Sequence, residues 1–134
     1  MKYRENVTSD VMQPQVEHNC GHVYFRWDFK EIIEPATEES EERTIYQYKE
    51  YYMTNEEYET IRLGKFTGTH TEGTRMMERS YLYDVADQHI MKYTTDSLDP
   101  SKSNSWIEYK RQVRATPSLP SYPQEVTYPT KPLD

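Results

Sequence analysis

From Gly21 the chain reads GHVYFRWDFKEII, with Val23, Phe25, Trp27 and Phe29 alternating with Tyr24, Arg26, Asp28 and Lys30. A period of two reads as a β-strand that carries four large apolar groups on one face. After the acidic stretch EPATEESEER comes a second run rich in β-formers, TIYQYKEYYM, and the pair predicts an antiparallel hairpin with a long solvated loop. In that second run Tyr46, Tyr48 and Tyr52 share one face and Ile45, Gln47, Lys49 and Tyr51 the other, so neither face is cleanly apolar. Its edge is expected to be open to a partner strand. A lone hairpin is marginal in water, so the Phe25/Trp27 face needs cover from later helices, another chain, or the segment around Val7, Val11 and Val16.

What can supply that cover is limited, because Leu, Ile, Val and Phe number only 21 of 134 residues, a share typical of disordered chains. Against this stand 13 Tyr and 2 Trp, whose rings carry apolar area with a polar handle and allow a small aromatic core. The reading is one modest α+β domain with tails. Residues 1–20 form an N-terminal arm, 21–53 the hairpin with its acidic loop, 54–116 a helical region and 117–134 a proline-rich arm. No run of about 18 apolar residues is present and the first residues carry no apolar leader, so a cytoplasmic location without membrane contact is expected. Cys20 is alone and cannot form an internal disulfide; oligomerisation, including a homo-oligomer, or a partner is the expected staple. A formal charge of −7 argues against a general nucleic-acid binder.

Helix signals follow the hairpin. Thr54 with Glu57 three positions on makes a capping box and Gly64 a stop, which predicts a short helix over TNEEYETIRLG. Thr74 opens a longer one in which Leu82, Val85, Ala86, His89, Ile90 and Tyr93 recur at helical spacing. Asp99 before Pro100 gives an N-cap and a proline at the first helical position for a third helix that ends before Pro117. On it Trp106, Tyr109 and Val113 fall on one stripe. Beyond it five prolines lie between Pro117 and Pro132, and Pro117, Pro120 and Pro123 recur every third residue, which suits a polyproline II arm lying in an aromatic groove.

Chemistry-bearing clusters are few. His18, Cys20 and His22 are the tightest set of metal-ligand types, but a structural zinc site needs a fourth ligand and wider spacing, so no metal is expected. Cys20 with His22 has no third orienting group for a nucleophile. The run Glu31, Glu34, Glu38, Glu39, Glu41 and Glu42 lacks the Asp/Asn and Gly pattern of a calcium loop, and RLGKFTGT lacks the upstream glycine of a phosphate loop. No cofactor and no catalysis are expected, and binding or assembly is the class that remains.

The segment SWIEYKRQVRATPSLPSYPQEVTYPTKP resembles the C-terminal region of phage tail fibre assembly proteins, also described as tail assembly chaperone-like domains. Their pattern runs Trp-x-x-Tyr-Arg, Leu-Arg-Asp, Phe-Pro, Val-x-Trp-Pro and a last proline. Here it is carried by Trp106 and Tyr109 with Lys110 in the Arg position, Val113-Arg114, Tyr122-Pro123, Val126, Tyr128-Pro129 and Pro132. Ala115 stands where the family has Asp, Tyr128 replaces the second Trp, and Thr95-Asp96 is followed by Ser97 rather than Trp. The resemblance covers about residues 95–132 and leaves the N-terminal half unexplained. It implies a protein that binds a tail fibre or another tail protein without turnover, in the host cytoplasm during assembly or as part of the virion tail. The partner-binding positions it implies, with the neighbouring arginine and proline, are Trp106, Tyr109, Arg111, Arg114, Pro120, Tyr122, Pro123, Tyr128 and Pro129. The competing expectation is a small phage protein that binds and inhibits a host protein, with the Glu-rich loop mimicking nucleic acid.

Overall fold

The alternating run becomes the long strand β3 (His22–Glu34), and TIYQYKEYYM lies within β4 (Arg43–Thr54), in the computed structural model, which describes residues 1–133. The two pair antiparallel from His22↔Thr54 to Glu34↔Arg43. The sheet has four strands rather than two. Residues 1–20, expected as an arm, supply β1 (Lys2–Ser9) and β2 (Val16–Asn19), in the antiparallel order β1-β4-β3-β2. β4 is therefore central and, from Tyr46 to Tyr52, paired on both sides, so most of it cannot offer the open edge that its sequence suggested. Neither β1 nor β2 alternates cleanly, so pairing rather than pattern makes them strands.

Two bulges flank the middle of β4. On β1 the register shifts between Arg4 and Val7, with Asn6 at φ 54°; on β3 it shifts between Trp27 and Lys30, with Asp28 at φ 56°. An extra residue in a strand of period two turns the following side chains over. Val23, Phe25 and Trp27 therefore stay on one buried face, where Trp27 stacks on Tyr51 with centroids 4.9 Å apart. Phe29, expected beside them, crosses to the other face and packs on Tyr48 at 5.5 Å.

That other face is built around a charge. Arg26 is buried and its Nε donates to Glu50 at 2.8 Å, while Nη1 reaches Glu17 and the carbonyl of Pro14, each at 3.2 Å. The Arg26 backbone N–H donates to the Gln15 carbonyl at 2.7 Å, so the chain between β1 and β2 is held along β3.

Three helices follow: α1 (Asn55–Arg62), α2 (Glu72–Met91) and α3 (Pro100–Arg114). The expected capping box forms at α1, with the Glu57 N–H donating to Thr54 Oγ1 at 3.1 Å and the Thr54 N–H to Glu57 Oε1 at 3.0 Å. α2 starts earlier than expected, because Thr71 is its N-cap and the Thr74 hydroxyl completes the box. A single π-type turn, Lys92–Asp96, extends α2. Together these make a mixed α+β chain. It divides into two compact units, Met1–Glu59 and Thr60 onward, with the boundary inside α1.

The turn from β2 to β3 holds Cys20 at φ 50° and Gly21 at φ 82°, a pair of left-handed residues that favours Asn-Gly. Cys20→Asn should therefore raise stability by up to about 1 kcal/mol, read as a higher midpoint of thermal unfolding. Cys20→Val should lower it.

Candidate protein-binding site

α3 is fixed at its start by Asp99, whose carboxylate accepts from the Lys102 N–H at 3.1 Å, and Pro100 occupies the first turn. This sets the phase of the helix, and Trp106, Tyr109 and Val113 are buried together with Ala86 and Tyr93. Leu82, Tyr83, Val85, Ile90 and Tyr128 pack around them. Trp106 lies flat on the His89 ring, centroids 3.9 Å apart, and meets Tyr109 edge-on at 5.5 Å. Its indole N–H has no hydrogen-bond partner. At 2% and 3% exposure, Trp106 and Tyr109 are closed to a partner. They form the core of the second unit and support the surface above them.

The proline-rich arm does not extend. Pro117 lies in a 3-10 turn, Thr116–Ser118, and Ser121 sits at φ 64°, so Pro117, Pro120 and Pro123 do not line one polyproline edge. The described part of the arm folds back onto α2, and Asp134 lies outside the described residues. The buried Arg75 holds it: Nε donates to the Pro123 carbonyl at 2.7 Å and Nη2 to the Gln124 carbonyl at 2.8 Å, while Nη1 pairs with Glu78 at 2.9 Å. Tyr128 then donates its hydroxyl to the same Glu78 at 2.7 Å. One turn along α2, Arg79 donates to the Tyr122 hydroxyl and pairs with Glu72 at 2.9 Å. Burial, reinforced by the hydrogen bond to Glu72, pushes the Tyr122 hydroxyl up to about 12. Burial and Glu78 raise that of Tyr128 as well.

Where the arm passes the end of α3 it leaves an open groove of about 330 Å³. Arg111, Ala115 and Leu119 line one side and Thr127, Tyr128 and Pro129 the other, an apolar floor with a cation at the rim. Arg111 is exposed and its guanidinium grips Glu108, holding that carboxyl down at about 2, with Gln112 assisting. Arg114 is exposed outside the groove, its guanidinium 5.9 Å from the centre of the Tyr83 ring. Pro120 borders a neighbouring hollow of about 230 Å³ with Leu119 and Val126. Of the nine positions the resemblance implied, the groove thus joins Arg111, Tyr128 and Pro129, while Tyr122 and Pro123 anchor the arm.

Arg75, Glu78 and Arg79 were not singled out by the sequence. Their only local signal is the Arg-x-x-Glu spacing of an ordinary helix pair, and the groups they hold lie 43 to 50 residues away. His22, one of the three candidate ligands, stacks on Tyr52 at 4.9 Å. Among the described residues no three of His, Cys, Asp and Glu converge as metal ligands, and no described helix is long and apolar enough to cross a membrane. No family model, curated protein or solved structure matches this chain.

Truncating Trp106→Ala should cost about 3–5 kcal/mol in denaturant unfolding. Trp106→Phe should cost well under half as much, because the indole N–H forfeits no hydrogen bond. Alkali should act on the arm. With the Tyr122 proton held to about 12 against the usual 10, the unfolded chain releases its proton first as pH rises. The contribution is complete below pH 10 and lost by about pH 12. Chemical unfolding across that range should show a steeper decline for the native chain than for Tyr122→Phe/Tyr128→Phe; equal slopes would contradict it.

Proposed function

We propose that this chain is a non-catalytic component of phage tail assembly that binds a tail fibre or neighbouring tail protein in fixed ratio, at the groove beside the end of α3. The observation that carries the reading is how the residues of the resemblance divide. Trp106, Tyr109 and Val113 are spent on a buried cluster, whereas Arg111, Tyr128 and Pro129 meet on an open apolar groove. Aromatic and arginine side chains around a small apolar hollow are what protein interfaces concentrate. The arm that forms one wall is anchored by buried Arg75, so the groove is held in shape before a partner arrives, which lowers the ordering entropy lost on binding. Such a protein acts in the host cytoplasm during assembly, either leaving before the particle is complete or staying in the tail.

Mass spectrometry of purified particles, beside a pull-down from infected-cell lysate, tests the reading. A fixed ratio to tail proteins in the particle marks a permanent part, and absence from particles with a fibre protein in the pull-down marks a chaperone. A host enzyme retained with no tail protein overturns the proposal in favour of an inhibitor. Arg111→Glu with Leu119→Asp should reduce capture of the tail partner about tenfold or more while lowering the midpoint of thermal unfolding only slightly, since both side chains are exposed and the Arg111–Glu108 pair that is lost lies on the surface.

A further inference from the structure

The four strands differ in length, and this leaves part of the sheet unpaired. β2 covers β3 only from His22 to Phe25, and the next N–H, that of Arg26, is taken by Gln15. From Asp28 to Glu34 the outer edge of β3 pairs with no strand among the described residues. On the far side β1 covers β4 only as far as Tyr46. The end of the hairpin therefore stands as a two-stranded ribbon, Ile32 opposite Ile45 and Ile33 opposite Thr44, a form that is marginal in water without a third strand.

Proteins blunt free edges with bulges and charges, and both are present: the Asp28 bulge at the head of the open stretch, and the carboxylates after it. Two observations go beyond protection. Ile33 is 62% exposed on the ribbon, which a purely defensive edge has no use for. Of the seven carboxylates from Asp28 to Glu42, Asp28 pairs with Lys49 at 3.4 Å and Lys30 at 3.9 Å, and Glu34 pairs with Arg43 at 2.6 Å. Among the described residues Glu31, Glu38, Glu39, Glu41 and Glu42 have no cationic partner in the chain itself. A field of that sign repels a second copy of the same edge and draws in a basic segment.

We propose that the outer edge of β3, Asp28–Glu34, is a docking edge for an extended lysine- or arginine-bearing segment of another protein, added as a fifth strand. Its main chain completes the unpaired N–H and C=O groups, its basic side chains meet the carboxylates of the hairpin, and its apolar side chains lie against Ile33. The edge belongs to the first unit and stands independently of the groove beside α3.

The test titrates the full chain with a blocked peptide of alternating valine and lysine as long as the open stretch, followed by amide NMR. Binding should shift and protect amides of Asp28–Glu34, and Glu31→Lys with Glu38→Lys should weaken it about tenfold or more, as should raised salt. The same peptide N-methylated at alternate backbone nitrogens keeps its charge but cannot pair, and should bind about tenfold or more weaker. Equal binding of the methylated peptide would reduce the effect to general charge attraction and overturn the proposal. So would shifts confined to residues around Ala115 and Tyr128, or no binding. An unchanged amide spectrum elsewhere in the charge variant shows that it is folded.

Discussion

A guanidinium buried beside a carboxylate, with its other N–H groups aimed at the carbonyls of an irregular segment, is the interaction on which each unit depends. In the first unit Arg26 pairs with Glu50 and reaches the Pro14 carbonyl; in the second Arg75 pairs with Glu78 and reaches Pro123 and Gln124. Arginine suits the task because its planar fork satisfies a carboxylate and one or two carbonyls at once. Each pair is costly to desolvate and still more costly to break, so it adds little net stability while fixing one arrangement against others. What it fixes is a proline-containing stretch with almost no ladder of its own.

The shortage of aliphatic residues explains why charge has this role. With few Leu, Ile and Val available, rings carry much of the burial beside Val23, Met53, Ile61, Met77 and Val113, with Trp27 on Tyr51 in the sheet and Trp106 on His89 between helices. Rings bring hydroxyls and ring nitrogens into the interior, and those need partners. Tyr128 meets the need at Glu78 and Tyr122 at Arg79, which ties the aromatic core to the ionic seat of the arm. Among the described residues the Trp106 indole N–H meets no partner, and there packing took precedence over satisfaction.

These causes also decide what could be read from the chain beforehand. Period-two alternation at Val23, Phe25 and Trp27, the Thr54/Glu57 box and the Asp99-Pro100 start are local signals, and the elements they mark are where they were expected. The bulge at Asp28 carries no signal in composition, and it moved Phe29 to the other face. β1 and β2 are strands because β4 and β3 offer edges, not because of their own pattern. The arm read as extended because its prolines are regularly spaced. Its actual course is set by Arg75, whose partners are 48 and 49 residues away.

Tyr128 shows why the groove and the anchor are one device. Its ring packs against the Trp106 cluster, its hydroxyl binds the carboxylate that Arg75 also grips, and its edge lines the groove. Loss of Arg75 would leave Glu78 a buried carboxylate without its cation, and it would leave the Pro123 and Gln124 carbonyls without donors. The arm would then lift, and with it the wall that Thr127, Tyr128 and Pro129 give to the groove. The shape of the site is thus set by a side chain that never faces it, on a helix that contributes none of its lining.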